Sequence, residues 1–409
     1  MFACSSKLFA LGINGVRFYY GKRFPDHTLK SALVQVFHRH GDRTPLHNYY
    51  EGTPKEKEES DMWSELIPDR KMMEGTYGMY KHEHTAPDEP CHPVFGQLTM
   101  EGVIQMKNIG TRLRHFYMEE EKLVTDASFN TTDVSLRSTC RDRTLHSMQC
   151  LLSTLFPVKS ASRGGFTSRE SLDSHPIIKI NSDSTCVLNK FDSKCQQERE
   201  RRLKSYDWMC YEEKVENDLR PVIAKEFPAV DSAWKMKLTD VLDYVVTRYS
   251  HLLEIPEAIY GIFPTIYSYC ATKFDVVYNT PKCVHCIADD LFAMLKREAD
   301  AVIAGSKQTK LSIYSCHDTS ILPMLNVLTP MLSIGIPKFG AYLCLEYWQN
   351  DFDKSMQVAL RYNGEYEPIL VEHYQGEEMV MYDDFCKTLT LPKYLLDIMR
   401  EKNRVPTVD

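Results

Sequence analysis

The chain reads as an α/β protein whose core is interrupted by a mainly helical insertion. Three observations predict it. Segments at 33–37 and 311–316 read as buried strands, and Asp133-Val134-Ser135-Leu136 is a third candidate. Between them, apolar residues recur at helical spacing, first Val103, Met106, Ile109, Leu113 and Tyr117, then Leu145, Met148, Leu152 and Leu155. From about 160 to 285 the character changes. Gly164-Gly165 opens this stretch among serines, the charged run Glu198-Arg199-Glu200-Arg201-Arg202 follows, and Leu238, Val241, Val245 and Tyr249 mark a helix.

In chain order, the strand at 33–37 leads into a long polar loop in which Pro54-Lys55-Glu56-Lys57-Glu58-Glu59 reads as a solvated run. A helix starts near Thr99 with Glu101 in its first turn, a good N-cap and a charge that suits the helix dipole. The strand at 133–136 and a second helix follow. After the insertion come a helix near 284–303, the strand at 311–316, a helix from Thr319, and a hairpin of 341–348 with 355–362 turning at Asn350-Asp351. The resulting organisation is an N-terminal segment over 1–30, a first core part over 31–160, a helical cap over 161–285 and a second core part over 286–409.

The chemistry gathers where the strands end. Val34 to Phe37 run straight into Arg39-His40-Gly41-Asp42-Arg43-Thr44-Pro45. An imidazole beside two permanent cations has its protonated form destabilised, so His40 is expected to be neutral and nucleophilic even in mildly acidic solution. The same cations suit phosphoryl oxygens. The strand at 133–136 ends at Arg137, and the strand at 311–316 ends at His317-Asp318. Open α/β sheets bind ligands beyond the carboxyl ends of their strands, which would bring these groups into one pocket. Taken singly, Arg137 could equally be a salt-bridge partner and His317-Asp318 a helix cap.

These motifs resemble the histidine acid phosphatases, in the branch that includes the prostatic and lysosomal enzymes. The matching residues are Arg39 to Pro45, Leu136-Arg137-Ser138-Thr139 with Asp142-Arg143-Thr144, and His317-Asp318-Thr319. The likeness runs from about Leu33 to Tyr394 and weakens between about 160 and 285. It implies a phosphoglycerate-mutase-like three-layer α/β core with the inserted cap, and a metal-independent phosphomonoester hydrolase without cofactor. It also implies that His40 is phosphorylated, that Arg39, Arg43, Arg137 and His317 hold phosphate, and that Asp318 protonates the leaving group. Asp42 is a rival donor, but a carboxylate between Arg39 and Arg43 makes a poor acid and is expected to orient an arginine instead.

Composition agrees with an enzyme acting on a small molecule. The chain of 409 residues carries a net charge of −7, which argues against nucleic acid as the main partner. It has no apolar run of about 18 residues that could span a bilayer. Thirteen cysteines are scattered without a framework spacing, which suits free thiols. The secreted members of the family have a cysteine where Tyr342 stands and another near their end, where this sequence reads Val405-Pro406-Thr407-Val408-Asp409, so at least two of their bridges are expected to be missing. Cys283-Val284-His285-Cys286 has no second pair at zinc spacing and reads as a pair of buried thiols at a helix start. Asn130-Thr131-Thr132 is a formal glycosylation sequon.

Residues 1–25 contain Lys7, Arg17, Lys22 and Arg23 and no acidic residue, with Phe2, Phe9, Ile13, Val16 and Tyr20 at helical spacing. That is the composition of a mitochondrial transit segment, with a cytoplasmic and then a secreted or lysosomal location as the alternatives. It agrees with the substrate side of the resemblance. Gly96-Gln97-Leu98-Thr99, Pro337-Lys338-Phe339-Gly340-Ala341 and Leu391-Pro392-Lys393-Tyr394 are most similar to the mitochondrial lysophosphatidic acid phosphatases, which implies lysophosphatidic acid as substrate. Asp42 and Thr44 match the prostatic and lysosomal pattern instead, and keep a broad-specificity acid phosphatase as the alternative. Phe166, Trp208, Tyr211 and Trp234 in the cap could line an acyl channel or form the core of the cap. A mutase-like phosphotransferase usually lacks the His-Asp pair, and a non-catalytic phospholigand-binding protein would lack the nucleophile or the acid.

Overall fold

Strand β1 (Leu29–Arg39) organises the sheet. Its residues are buried on both faces: Leu33 and Phe37 belong to one apolar cluster, Val34 and Val36 to the other. That two-sided burial explains why the run is continuously apolar rather than alternating. In this computed structural model the described residues are 28–69, 71, 73, 76, 82–83, 92–126, 132–157, 178–181, 193–228, 236–278, 281–330, 335–371 and 374–390.

On one side of β1 the sheet is parallel. Its neighbour is β5 (Leu311–Cys316), followed by β3 (Val134–Thr139), β4 (Ile178–Asn181) and the edge strand β2 (His82–Glu83). On the other side it is antiparallel, through β6 (Tyr342–Asn350), β7 (Met356–Tyr362) and β11 (Met379–Met381), with β8 (Glu365–Glu367) also on β7. Strands β9 (Ile369–Val371) and β10 (Tyr374–Glu377) pair separately.

Helices cover both faces. Val34, Val36, Leu136, Leu311 and Ile313 pack under α2 (Met100–Arg114) and α3 (Asp142–Leu155), and every position expected on their apolar faces is buried. A π-helical turn, His115–Glu120, prolongs α2 and carries the buried Tyr117. On the opposite face, Leu33, Phe37, Tyr314 and Cys316 meet α8 (Pro281–Ile303), α9 (Asp318–Leu328) and α10 (Tyr382–Leu389). This is the three-layer α/β core that the sequence predicts. Each fully buried aliphatic side chain in it contributes roughly 1.5–3 kcal/mol.

The cap consists of α4 (Ser193–Leu203), α5 (Tyr206–Glu226), α6 (Leu238–Ser250) and α7 (Glu257–Tyr278), packed around their own cluster with Trp208, Leu219, Ile223, Phe227, Val241 and Ile266. Two readings need correction. Strand β4 falls within 161–285 but extends the core sheet beside β3, so this part of the insertion is not cap. The run at 54–59 is not a solvated loop, because α1 (Glu56–Leu66) begins inside it and buries Glu59 and Trp63. Glu59 pairs with Arg248 of α6 and accepts a hydrogen bond from Trp63 Nε1 at 2.7 Å, so a charge that reads as exposed is spent on the seam between core and cap.

Cys210, Cys270, Cys344 and Cys386 are free thiols. No helix among the described residues is long and apolar enough to cross a membrane. Residues 1–27 of the N-terminal segment, Asn130 of the sequon, Gly164-Gly165, Phe166 and Trp234 lie outside the described residues, whereas β1 begins at Leu29, inside that segment.

Candidate active site

Parallel pairing of β1 with β5 sets Arg39 opposite Cys316, so the residues after each strand emerge side by side. His40 and His317 meet edge to face with ring centroids 5.5 Å apart. The backbone of His40 is fixed at both ends: its N–H donates to the Cys316 carbonyl at 3.1 Å, and its carbonyl accepts from Gly340 N–H at 3.0 Å. On the ring, Nδ1 lies 2.8 Å from the Gly41 carbonyl, which can only accept. Nδ1 therefore carries the proton and Nε2 keeps its lone pair. Burial, then the charges of Arg143, Arg39, His317 and Arg43, hold the His40 pKa well below that of an ordinary histidine.

The cations around it are held differently. Arg39 places Nη2 2.8 Å from Asp318 Oδ2, donates Nη1 to the Pro337 carbonyl and stacks its guanidinium 4.3 Å from the centre of the Phe339 ring. Arg43 bonds Asp243 of α6 at 2.7 Å and the Thr44 carbonyl at 2.9 Å. Burial opposes its charge, but Asp243 outweighs that and raises its pKa. Arg143 sits in the first turn of α3 with its Nε buried and without a hydrogen-bond partner. Burial and crowding by Arg43 and Arg141 push its pKa down to about 9, which leaves it charged at neutral and acidic pH.

His317 caps α9 and shares a hydrogen bond of 3.0 Å between its Nε2 and Thr139 Oγ1. Burial, Arg143 and Arg39 hold its pKa well down too. Asp318 Oδ1 accepts from Thr319 N–H at 2.7 Å. Arg39, His40, Arg43, Arg143, His317 and Asp318 all open onto one cavity of about 1220 Å³ between core and cap.

Arg137 is not among them. Leu136 faces α2 and α3, so the next side chain along the strand points to the opposite face, where Arg137 Nη1 lies 3.1 Å from Met294 Sδ of α8. Arg143 occupies the place that the sequence reading gave to Arg137. The signal was available: a residue in the first turn of the helix after a strand faces the ligand side of an open sheet. Asp42 does not orient an arginine. Its Oδ1 accepts from Thr99 Oγ1 at 2.7 Å and from His251 Nε2 at 2.6 Å. Trp208 is fully buried in the cap cluster, with Tyr211 packed on its ring, and neither lines the cavity. Asp243 and His251 had no motif to announce them, and Phe339 lay in the Pro337 to Ala341 match without a role assigned to it.

The model of the histidine phosphatase superfamily (branch 2) matches residues 32–250, more than half of the chain. The chain belongs to this superfamily. As a histidine phosphatase it is a phosphomonoester hydrolase. It is 26% identical over 364 residues to human lysophosphatidic acid phosphatase type 6, covering 82% of this chain and 78% of that one. It is 24% identical over 388 residues to mouse 2-phosphoxylose phosphatase 1, covering 88% and 73%. Among solved structures, the phytase from Citrobacter braakii superposes with a TM-score of 0.55 over 88% of this chain and 98% of its own, at 15% identity, a likeness of fold.

Proposed function

We propose that this histidine phosphatase works through a phosphohistidine at His40 and acts on lysophosphatidic acid. In the first step Nε2 of His40 attacks phosphorus in line, the N–P bond forms and the P–O bond to the alcohol breaks. Arg39, Arg43, Arg143 and His317 hold the equatorial oxygens, and Asp318 gives its proton to the departing alkoxide. Water then attacks phosphorus, Asp318 takes a proton from it, and His40 is released. Fixed guanidinium groups compensate the phosphoryl charge, so the chemistry asks nothing of a metal ion. The observation that carries this reading is the His40 ring: its Nδ1 is tied to the Gly41 carbonyl, its pKa is held far down, and its surroundings are three arginines. Rapid quench of the enzyme mixed with labelled substrate should trap label on His40, and His40→Ala should abolish turnover. Label on another residue would overturn the assignment.

The substrate reading rests on the cap. Leu203 of α4, Leu242 and Val246 of α6, and Phe263, Phe274 and Val277 of α7 line the same cavity as the arginines. A cationic floor under an apolar wall fits a phosphate carried by an acyl chain. The lysophosphatidic acid phosphatase named above is a relative of this chain. Activity should rise along a series of lysophosphatidates of increasing chain length relative to glycerol phosphate, since each buried methylene contributes up to about 0.8 kcal/mol. Phe274→Asp should flatten that series. Indifference of the wild type to chain length would favour the broad-specificity alternative, which the polar Tyr362, Asn363 and Glu367 on the same cavity also suit.

The acid-free cationic segment 1–25 makes mitochondria the proposed location. Fused to a reporter it should direct import, and replacing Arg17, Lys22 and Arg23 with glutamate should stop it. A reporter that stays in the cytosol would discard this proposal.

A further inference from the structure

Much of the backbone of the loop that carries His40 and Arg43 is held from outside the loop. Gly41 N–H donates to Ser147 Oγ of α3 at 3.0 Å, Asp42 N–H to Gln105 Oε1 of α2 at 2.9 Å, and Thr44 N–H to the Gln97 carbonyl at 2.9 Å. The Asp42 carbonyl accepts from Thr99 N–H at 3.1 Å. These supports belong to the core. Two more come from one helix of the cap: Asp243 of α6 bonds Arg43, and His251, the residue that ends α6, bonds Asp42.

Asp42 is fully buried, and its Oδ2 has no hydrogen-bond partner. Its charge is therefore satisfied through Oδ1 alone, by the Thr99 hydroxyl and His251 Nε2. His251 is itself fixed, with its ring edge-on to the buried Trp63 of α1 at 5.7 Å and its N–H donating to the Arg248 carbonyl at 3.1 Å. A buried carboxylate deprived of one of two donors has to move or recruit another, and Asp42 sits between the nucleophile and an arginine of its cradle. The geometry points to His251 as a positioning residue: through Asp42 it clamps the His40–Arg43 loop to the cap, so that the reacting groups are in place only when the cap is seated. This rests on the reading of His40 as nucleophile, and the clamp would hold the loop to the geometry that in-line attack requires.

Turnover of nitrophenyl phosphate by four variants tests it. His251→Ala should lower kcat at least tenfold, and His251→Gln, which can present an amide donor to Asp42, should stay within threefold of wild type. Asp42→Asn combined with His251→Ala should be no worse than the worse of the two single variants, because both break one interaction. Glu59→Gln weakens a further ion pair of α6, with Arg248, in which no residue of the loop takes part. It should lower the Tm while keeping kcat within twofold. The proposal is overturned if His251→Ala retains kcat, if its loss merely tracks Tm as in Glu59→Gln, if the double variant is additive, or if His251→Gln folds with a wild-type Tm and is still tenfold slower. His40→Ala, measured alongside, separates the two readings: an active His40→Ala removes the nucleophile, whereas an inactive one beside an unaffected His251→Ala removes only the clamp.

Discussion

Gly41 and Gly102 lie so close that a Cβ on Gly41 would stand 2.6 Å from the Gly102 carbonyl oxygen, and a Cβ on Gly102 would stand 2.2 Å from the carbonyl oxygen of Asp42. The two glycines let the first turn of α2 press directly on the catalytic loop. Neither has a positive φ, so the need is for space rather than for an unusual backbone.

Gly102→Ala should therefore separate α2 from the loop, since two of the three atoms in the way, the oxygen and nitrogen of Asp42, are backbone. The expected cost is about 1–3 kcal/mol of stability, typical of overpacking, with a large loss of kcat. Thermal melts and nitrophenyl phosphate turnover measure both. A variant that melts and turns over like wild type would show that the close approach carries no constraint.

Arg143 and Arg137 should separate clearly. Arg143→Ala removes a buried guanidinium from beside His40 and should reduce kcat/KM by roughly 10²–10³, the scale seen when one preorganised charge-stabilising donor is lost. Arg137→Ala, whose side chain lies on Met294, should stay within severalfold. Inverted effects in steady-state kinetics would restore Arg137 to the site.

Asp318→Ala should slow esters with poor alkoxide leaving groups far more than nitrophenyl phosphate, whose phenolate needs little protonation. Parallel losses on both substrates would show that Asp318 is not the proton donor. The ion pair to Arg39 would then be its main role.

Stability should fall in mild acid because of buried histidines. His40 and His317 have pKa values well below 6.5, and burial pushes His38 down to about 4. Above about pH 6.5 these rings are neutral in both states and contribute no pH dependence. Below it the unfolded chain takes up protons that the folded chain refuses, so each ring destabilises the fold by up to about 1.4 kcal/mol per pH unit until pH passes its folded pKa. Denaturant melts between pH 6.5 and 4.5 should show this slope, and His38→Leu should make it shallower. Identical slopes would remove His38 from the balance. The same lowering, caused by burial and the neighbouring arginines, favours the unprotonated, attacking form of His40 in mild acid.

What the sequence determined by itself is what short-range pattern can encode. The strand signals at β1, β3 and β5, the Thr99 cap of α2, the helical stripe from Val103 to Tyr117 and the hairpin of β6 with β7 are all local, and all lie where the sequence predicts them. The grouping of Arg39, His40, Arg43, His317 and Asp318 is long-range but was still legible, because parallel strands that end together bring their next residues together. Tertiary structure decided whatever depends on which way a side chain faces and on what packs against it. The strand pleat turns Arg137 away from the cavity, whereas the first turn of α3 aims Arg143 into it, although the two are six positions apart in the chain. Glu59 looks like part of a solvated run until α6 brings Arg248 to it, and Asp42 looks like an arginine's partner until α6 brings His251. Such contacts join residues about 190 to 210 positions apart, and their free energy is the balance between the cost of desolvating both partners and their attraction in the buried site, which no local pattern records.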